Sequence, residues 1–153
     1  MIGVGNDFRG DDAAGLVVAR RLQEQDTDGI AVMEAPGEGA SFIDAWDGAE
    51  AVILIDAVRS RSAPGTIHRL SRRAVASSGD LFHRSTHAIS VADAIELARV
   101  MNRLPKRLIV IGIEGKSFEA GAGLSQEVEA ALPGAIDAVL WEARAMMGRS
   151  GTR

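Results

Sequence analysis

The sequence predicts an α/β fold: a three-layer α/β/α sandwich whose mixed, mainly parallel sheet has about five strands, with helices on both faces. Two continuous apolar runs, residues 51–55 and 107–113, are typical of strands that are buried on both faces of a sheet. Segments with apolar residues at helical spacing alternate with these strand-like runs, as in parallel sheets whose connections are helices. The turn at Pro64-Gly65 precedes a further strand-like run and makes the predicted sheet mixed.

The first half of the chain alternates short strands and helices before it reaches the first buried strand. Its clearest helix follows an opening glycine motif, because Ala14, Val17, Val18 and Leu22 fall on one helical face. The first strand is shorter than the roughly five residues of a typical strand, so we expect the native start to lie upstream of Met1. The expected elements are a strand at 1–4, a helix at 12–25, a strand at 30–35, a helix at 41–46 and a strand at 51–55.

The second half of the chain continues the alternation and ends in a long helix. Ser90 is the expected N-cap of the helix that precedes the second buried strand. In the last helix, Pro133-Gly134 is expected to cause a bend or to mark a restart. The expected elements are a strand at 66–70, a helix at 91–101, a strand at 107–113 and a helix at 128–146.

Length and composition are those of an ordinary globular chain and exclude several classes of protein. The 153 residues are expected to form a single domain, residues 1–153. A formal net charge of −4 argues against a nucleic-acid-binding module. The chain has no cysteine, so disulfides, zinc fingers and thiol nucleophiles are excluded, and any metal must be held by His, Asp or Glu. With no apolar run near about 18 residues and no signal-peptide pattern, we expect a cytoplasmic protein without a membrane partner. We also expect a monomer with no nucleic-acid partner.

The opening motif, Gly3-Val4-Gly5, is similar to a dinucleotide-binding turn but does not complete one. The third glycine of that motif would fall at position 8, which is Phe8. The helix that follows begins with Asp11 and Asp12, whose charges would repel a phosphate at a helix N-terminus. Two interpretations of this acidic pair stay open: helix capping, and binding of a cation at the carboxyl edge of the sheet.

Asp56 provides a second carboxylate for the cation interpretation. It directly follows the most hydrophobic strand-like run of the chain, Val52-Ile53-Leu54-Ile55. We expect its side chain to face a cleft and water at the same carboxyl edge that follows Gly5. The alternative is an Asp that caps the next turn or pairs with Arg59.

His87 is the one histidine whose position suits a site with these carboxylates. It lies in the loop that leads into the Ser90 cap, and ligand sites in α/β proteins are usually built from such loops. His68, in a strand-like run, and His83, in a polar loop, are expected at the surface. Asp12, Asp56 and His87 would together give an O, O, N ligand set, which suits borderline divalent ions such as nickel or zinc.

Four segments, in this order, resemble the motifs of the nickel–iron hydrogenase maturation proteases. They are residues 3–6 with 10–15, residues 55–57 with 64–66, residues 86–87, and residues 108–112 with 123–125. The resemblance runs from Ile2 to about Ala143. It implies an α/β endopeptidase that removes a short C-terminal extension from the hydrogenase large-subunit precursor, the partner protein, after nickel has been inserted.

The resemblance also implies which residues meet the metal. Asp12, Asp56 and His87 correspond to the family's metal-contacting residues, although the first acid of the family is often Glu. The metal is then the nickel that the precursor carries, and we expect no tightly bound cofactor of the protein's own. No catalytic residue beyond this metal set is implied, so metal-dependent and aspartic-type hydrolysis both stay open.

One loop departs from the family's pattern. The loop after the second strand usually has the sequence Asp-Gly-Gly-Thr, whereas this chain has Ala35-Pro36-Gly37-Glu38-Gly39. Gly37 and Gly39 are the expected substrate-binding residues of this loop, and the departure leaves the identity of the partner subunit open. The alternative function is a non-catalytic nickel- or nucleotide-binding regulatory domain on the same scaffold.

Overall fold

The computed structural model describes residues 1–36, 41–77 and 90–148. Within these ranges the chain forms a five-stranded sheet with helices on both faces, as the sequence predicts. The strands are β1 (Ile2–Gly5), β2 (Met33–Pro36), β3 (Ala51–Val58), β4 (Ile67–Ser71) and β5 (Arg107–Glu114). The helices are α1 (Ala14–Gln23), which follows a 3-10 turn at Gly10–Ala13, α2 (Ser41–Ala45), α3 (Arg72–Ser77), α4 (Val91–Val100) and α5 (Gln126–Gly148).

The sheet is mixed and has the strand order β2-β1-β3-β5-β4. The pairs β1·β2, β1·β3 and β3·β5 are parallel, and β4 pairs with β5 in the antiparallel sense. The antiparallel strand follows the turn at Gly65, whose φ is +85°, a backbone conformation that glycine adopts without steric cost. The predicted mixed, mainly parallel sheet is therefore confirmed.

Two apolar layers cover the two faces of the sheet. On one face, Ile53 and Ile55 of β3 pack with α1 and α5. On the other face, Leu54 and Val58 of β3 pack with Ile43 of α2 and with buried residues of α3 and α4. Successive side chains of β3 therefore alternate between two cores, which is why its sequence is a continuous apolar run.

Four elements differ from the prediction. β2 runs from Met33 to Pro36, so it begins three residues later than expected. β3 runs to Val58, three residues further than expected, so Asp56 lies inside the strand rather than after it. The short helix α3 is additional; it buries only Val75 and so has no apolar stripe that a sequence pattern would reveal. α5 continues through Pro133 as one helix, so the predicted restart is wrong. Buried residues on both sides of the proline, among them Leu132 and Ala135, hold the helix against the sheet despite the lost hydrogen bond.

Ser90 caps α4 as predicted. Its hydroxyl accepts a hydrogen bond from the N–H of Asp93, and the Asp93 carboxylate accepts one from the N–H of Ser90 at 3.1 Å. In the described parts of the chain, none of the helices has the length and apolar character needed to cross a membrane.

Candidate active site at the carboxyl edge of the sheet

The strand order reverses between β1 and β3. The connection from β1 to β2 passes through α1 on one face, and the connection from β2 to β3 passes through α2 on the other face. In open α/β sheets such a reversal leaves a crevice at the carboxyl ends of the two neighbouring strands, where ligands bind. The 3-10 turn that carries Asp12 follows β1, and its Cα atoms come within 8 Å of Cα atoms in β3, the strand of Asp56. The two carboxylates predicted from the sequence thus lie on the segments that form this crevice.

Glycines allow the 3-10 turn and α1 to approach the strands this closely. A Cβ atom on Gly5 would lie 2.0 Å from the carbonyl oxygen of Asp12, which also accepts a hydrogen bond from the Asn6 N–H at 3.3 Å. A Cβ atom on Gly15 would lie 2.3 Å from the Val4 carbonyl oxygen and 2.4 Å from that of Ile55. Backbone packing therefore accounts for the glycines at positions 5 and 15.

Asp12 and Asp56 are both buried, with exposed fractions of 1% and 0%. The expectation that Asp56 faces water is therefore wrong. The physical reason is the length of β3: Asp56 pairs with Gly112 of β5 in the middle of the sheet, two residues before the strand ends. Alternation along the strand directs its side chain to the same face as Leu54 and Val58, which is the face covered by α4.

The N-terminus of α4 lies at the same carboxyl edge as the crevice. Beyond the C-terminus of this helix, the carbonyl of Arg103 accepts a hydrogen bond from the Trp46 indole, and the N–H of Arg107 donates to Glu50, just before β3. The helix therefore ends at the amino edge of the sheet and begins, at Ser90, at the carboxyl edge. His87, His83, Gly37 and Gly39 lie outside the described residues, so their predicted roles stay predictions.

Asp11 has a structural role that separates it from its neighbour Asp12. It is 0% exposed, and its carboxylate accepts hydrogen bonds from the N–H groups of Lys116 (2.7 Å), Ser117 (3.0 Å) and Ser125 (2.6 Å) and from the Ser125 hydroxyl (2.9 Å). It thereby joins the 3-10 turn to the loop that follows β5. The cap residues of the 3-10 turn and of α1 are Arg9 and Ala13, and neither cap is made by a side-chain hydrogen bond. The helix-capping interpretation of Asp11 is therefore wrong.

Glu114, which is not among the residues selected from the sequence, is a second structural carboxylate at this edge. It ends β5, is 2% exposed, and accepts hydrogen bonds from the Ser60 N–H (2.7 Å) and the Ser60 hydroxyl (2.6 Å). Its other contact is with Nε2 of His68, 3.2 Å away, so His68 is 18% exposed at its side chain rather than a surface residue as expected. The signal that could have identified Glu114 is its position at the end of a buried apolar run, as for Asp56.

The described residues contain no group of three or more His, Asp or Glu side chains arranged to hold a metal ion. The predicted set needs His87, which lies in the undescribed segment 78–89. Asp12 and Asp56 supply oxygen donors from two neighbouring parts of the sheet edge, and Asp11 and Glu114 fix the loops around them. This edge can hold or transfer a proton, and it can contribute carboxylate ligands to an ion that a partner brings.

Comparisons of the sequence and of the fold with known proteins lead to the same family. The family model for hydrogenase maturation proteases of the HycI type matches residues 16–142, a range that includes Asp56 and His87 and begins just after Asp12. The Hydrogenase 2 maturation protease of Escherichia coli K12 is 28% identical over 145 residues, which cover 92% of this chain and 87% of that protein.

Solved structures show the same similarity in the fold. The nickel–iron hydrogenase maturation protease HybD from Thermococcus kodakarensis matches with a TM-score of 0.75 and 27% identity, covering 93% of this chain and 96% of that one. The hydrogenase maturating endopeptidase HybD from E. coli matches with a TM-score of 0.73 and 27% identity, covering 98% of this chain and 91% of that one.

Proposed function

This chain belongs to the hydrogenase maturation protease family, and we propose that it is the endopeptidase that removes a C-terminal extension from the nickel-loaded large-subunit precursor of a nickel–iron hydrogenase. One observation carries the proposal: Asp12 and Asp56 lie on the two segments that border the crevice between β1 and β3. This crevice is where an α/β sheet of this topology binds its ligand.

We assign recognition of the substrate's nickel to Asp12, Asp56 and His87. The support for Asp12 and Asp56 is their position at the crevice. The support for His87 is that it precedes Ser90 by three residues, and Ser90 begins α4 at the carboxyl edge, on the face to which Asp56 points. Carboxylate oxygen and imidazole nitrogen are suitable ligands for a borderline ion such as nickel. Because the nickel belongs to the precursor, docking would depend on prior insertion of the metal.

The same residues suit the hydrolysis of a peptide bond. Hydrolysis requires an activated water molecule and compensation of the charge that develops on the carbonyl oxygen. Asp12 and Asp56 are the candidates for holding the proton that the water loses, since a carboxylate within hydrogen-bonding reach can act as a general base. The nickel that the precursor carries supplies positive charge close to the cleaved bond.

A cleavage assay on the purified large-subunit precursor tests the proposal. We expect the wild-type chain to cut the nickel-loaded precursor and to leave the nickel-free precursor intact. His87→Gln should reduce cleavage of the loaded precursor by orders of magnitude, whereas the matched control His83→Gln should cleave as the wild type does. Equal cleavage of loaded and nickel-free precursor would contradict nickel recognition, and no cleavage of either would contradict the whole proposal and favour a regulatory domain.

We further propose that the protein acts as a monomer in the cytoplasm and carries no tightly bound cofactor of its own. Sedimentation velocity should then give a single species near the chain mass of 16.1 kDa. Metal analysis after dialysis against a chelator should find far less than one nickel or zinc ion per chain. Cell fractionation of the tagged protein tests the compartment.

A further inference from the structure

Phe8 is exposed beside the candidate active site. Its side chain is 79% exposed, and it lies in the short loop between β1 and the 3-10 turn, four residues before Asp12. An aromatic side chain of this size gains roughly 1.5–3 kcal/mol when it is moved from water into an apolar environment. In the folded chain alone, Phe8 stays in contact with water and does not gain this free energy.

The backbone around Phe8 is held in place by hydrogen bonds on both sides. The N–H of Phe8 donates to the Asn6 side-chain oxygen at 2.9 Å, and the carbonyl of Phe8 accepts from the N–H of Gly121 at 2.9 Å. Three residues further on, Asp11 is fixed by its four hydrogen bonds. Because this backbone is already fixed, a partner that covers Phe8 restricts the side chain but has little of the loop to order, which favours binding.

Phe8 also differs in position from the other exposed hydrophobic side chains of the described residues. Those others lie toward the amino edge of the sheet: at the start of β2, in the second half of α4 and just after it, and in the second half of α5. They are Met33, Leu97, Val100, Met101, Trp141 and Met147. Within the described parts of the chain, Phe8 is the exposed large hydrophobic residue at the carboxyl edge.

The precursor substrate is the partner that would cover Phe8, because a protein–protein interface is wide enough to reach from Asp12 to Phe8. Four residues of chain span at most about 14 Å, so Phe8 lies within that distance of Asp12. A standard interface buries about 800 Å² on each partner, which corresponds to a disc of about 16 Å radius. A precursor protein whose interface is centred on its scissile segment at Asp12 would therefore reach Phe8.

We propose that Phe8 is a docking residue for the large-subunit precursor and inserts into an apolar pocket on that protein, next to the segment that is cleaved. This inference rests on the proposed function, because it takes the precursor as the partner. Phe8 contributes to binding and not to the chemical step. Its removal should therefore raise KM and leave kcat unchanged.

Steady-state cleavage of the nickel-loaded precursor by Phe8→Ala tests this, with Trp141→Ala as a matched control. Trp141 is also an exposed aromatic residue, 64% exposed, but lies in the second half of α5 toward the opposite edge. We expect Phe8→Ala to raise KM about tenfold or more, the effect of losing roughly 1.4 kcal/mol of binding free energy. Both variants should melt as the wild type does, and Trp141→Ala should keep the wild-type KM.

The affinity of each variant for the precursor, measured separately from cleavage, distinguishes failure of the inference from failure of the proposed function. Cleavage by the wild type with an unchanged KM in Phe8→Ala would overturn only the inference. Wild-type binding that weakens in Phe8→Ala but leads to no cleavage would support the inference and contradict the peptidase assignment. A wild-type chain that neither binds nor cuts the precursor would overturn both. A wild-type dimer that dissociates in Phe8→Ala would overturn the inference, because Phe8 would then contact a second copy.

Discussion

The carboxylate of Asp11 accepts a hydrogen bond from the backbone N–H of Ser125, 114 residues further along the chain, at 2.6 Å. This bond joins the 3-10 turn after β1 to the loop that leads into α5, and it closes one side of the carboxyl edge. Asp12, the next residue, lies on the same 3-10 turn, and this turn passes close to β3. Two adjacent aspartates thus have separate tasks: Asp11 holds the turn in position, and Asp12 belongs to the crevice.

Replacing Asp11 should destabilise the protein strongly. Asp11→Ala leaves the N–H groups of Lys116, Ser117 and Ser125 without their acceptor in a buried position, and each such loss costs about 1–3 kcal/mol. We expect a total loss of about 3–5 kcal/mol in the free energy of unfolding, measured by urea denaturation. The control Asp26→Ala, at an exposed position, should change it by less than about 0.5 kcal/mol. A loss below about 1 kcal/mol in Asp11→Ala would contradict this structural role.

Glu114 should have a comparable effect through different partners. Glu114→Ala removes the acceptor of both the Ser60 N–H and the Ser60 hydroxyl and leaves His68 without its contact. We expect about 3–5 kcal/mol of destabilisation, the usual cost of removing one member of a buried polar network. Glu114→Gln keeps one acceptor oxygen and should cost less than Glu114→Ala. Equal stability of Glu114→Ala and the exposed control Glu119→Ala would contradict the prediction.

The ion pair between Asp7 and Arg20 should stabilise the folded state by an amount that depends on pH. Two hydrogen bonds of 2.7 Å from the Arg20 guanidinium hold the pKa of the Asp7 carboxyl below its ordinary value of 3.8. A carboxyl with a lower pKa in the folded state stabilises that state above the unfolded pKa, and the contribution is lost as the pH falls through the folded pKa. The side chain of Arg20 is 43% exposed and that of Asp7 is 39% exposed. Solvent screening therefore limits the contribution of this ion pair to the free energy of unfolding to about 0.2–1 kcal/mol.

Denaturation of the wild type and of Asp7→Asn from pH 7 to pH 2 measures this contribution. The wild type should be the more stable of the two by a constant amount above about pH 5, and the difference should shrink as the pH falls below 3.8. High salt should reduce the difference at pH 7. A difference that stays constant down to pH 2 would mean that the ion pair is not its origin.

The fold could be predicted where both faces of a strand are buried or a helix has one apolar face. β5 was expected within one residue of its observed end because its apolar run is uninterrupted. β3 was expected to end three residues early, because Asp56 interrupts the apolar run although the strand continues to Val58. The helix α3 was missed because only one of its six residues, Val75, is buried.

The candidate site could be predicted less completely, since the hydrogen bonds that hold its loops in place join residues that are far apart in the sequence. The bonds of Glu114 to Ser60 and to His68 span 54 and 46 residues, so no local spacing reveals them. Asp12 and Asp56 could be selected because each comes after an apolar strand-like run, and the carboxyl ends of such strands form the edge where these sheets bind ligands. The burial of Asp56 could not be predicted, because the apolar run ends before it and does not show that the strand continues to Val58.

A side chain at position 15 should destabilise the protein, because Gly15 lies against both central strands of the crevice. In Gly15→Ala the new Cβ would lie 2.3 Å from the Val4 carbonyl oxygen and 2.4 Å from that of Ile55, so α1 must shift. We expect about 1–3 kcal/mol of destabilisation by denaturation, together with slower precursor cleavage at a temperature where the variant is folded. Gly123→Ala is the matched control, because a Cβ there meets nothing within 4 Å. Equal stability of the two variants would show that α1 is not held this tightly.

The last prediction concerns Asp56, whose replacement should affect activity more than stability. Asp56→Asn preserves the shape of the side chain, and an amide costs less free energy to bury than an ionised carboxylate at a position that is 0% exposed. We therefore expect its free energy of unfolding to stay within about 1 kcal/mol of the wild-type value, or to rise, as is common when a functional charge is removed. Cleavage of the nickel-loaded precursor should fall by orders of magnitude, because a neutral amide is a poor ligand for nickel and a poor base. Asp26→Asn, at an exposed position after α1, is the control and should leave both quantities unchanged. If Asp56→Asn melts several degrees lower while its folded fraction cleaves at the wild-type rate, then Asp56 supports the strand and the assignment of the site to this crevice is wrong.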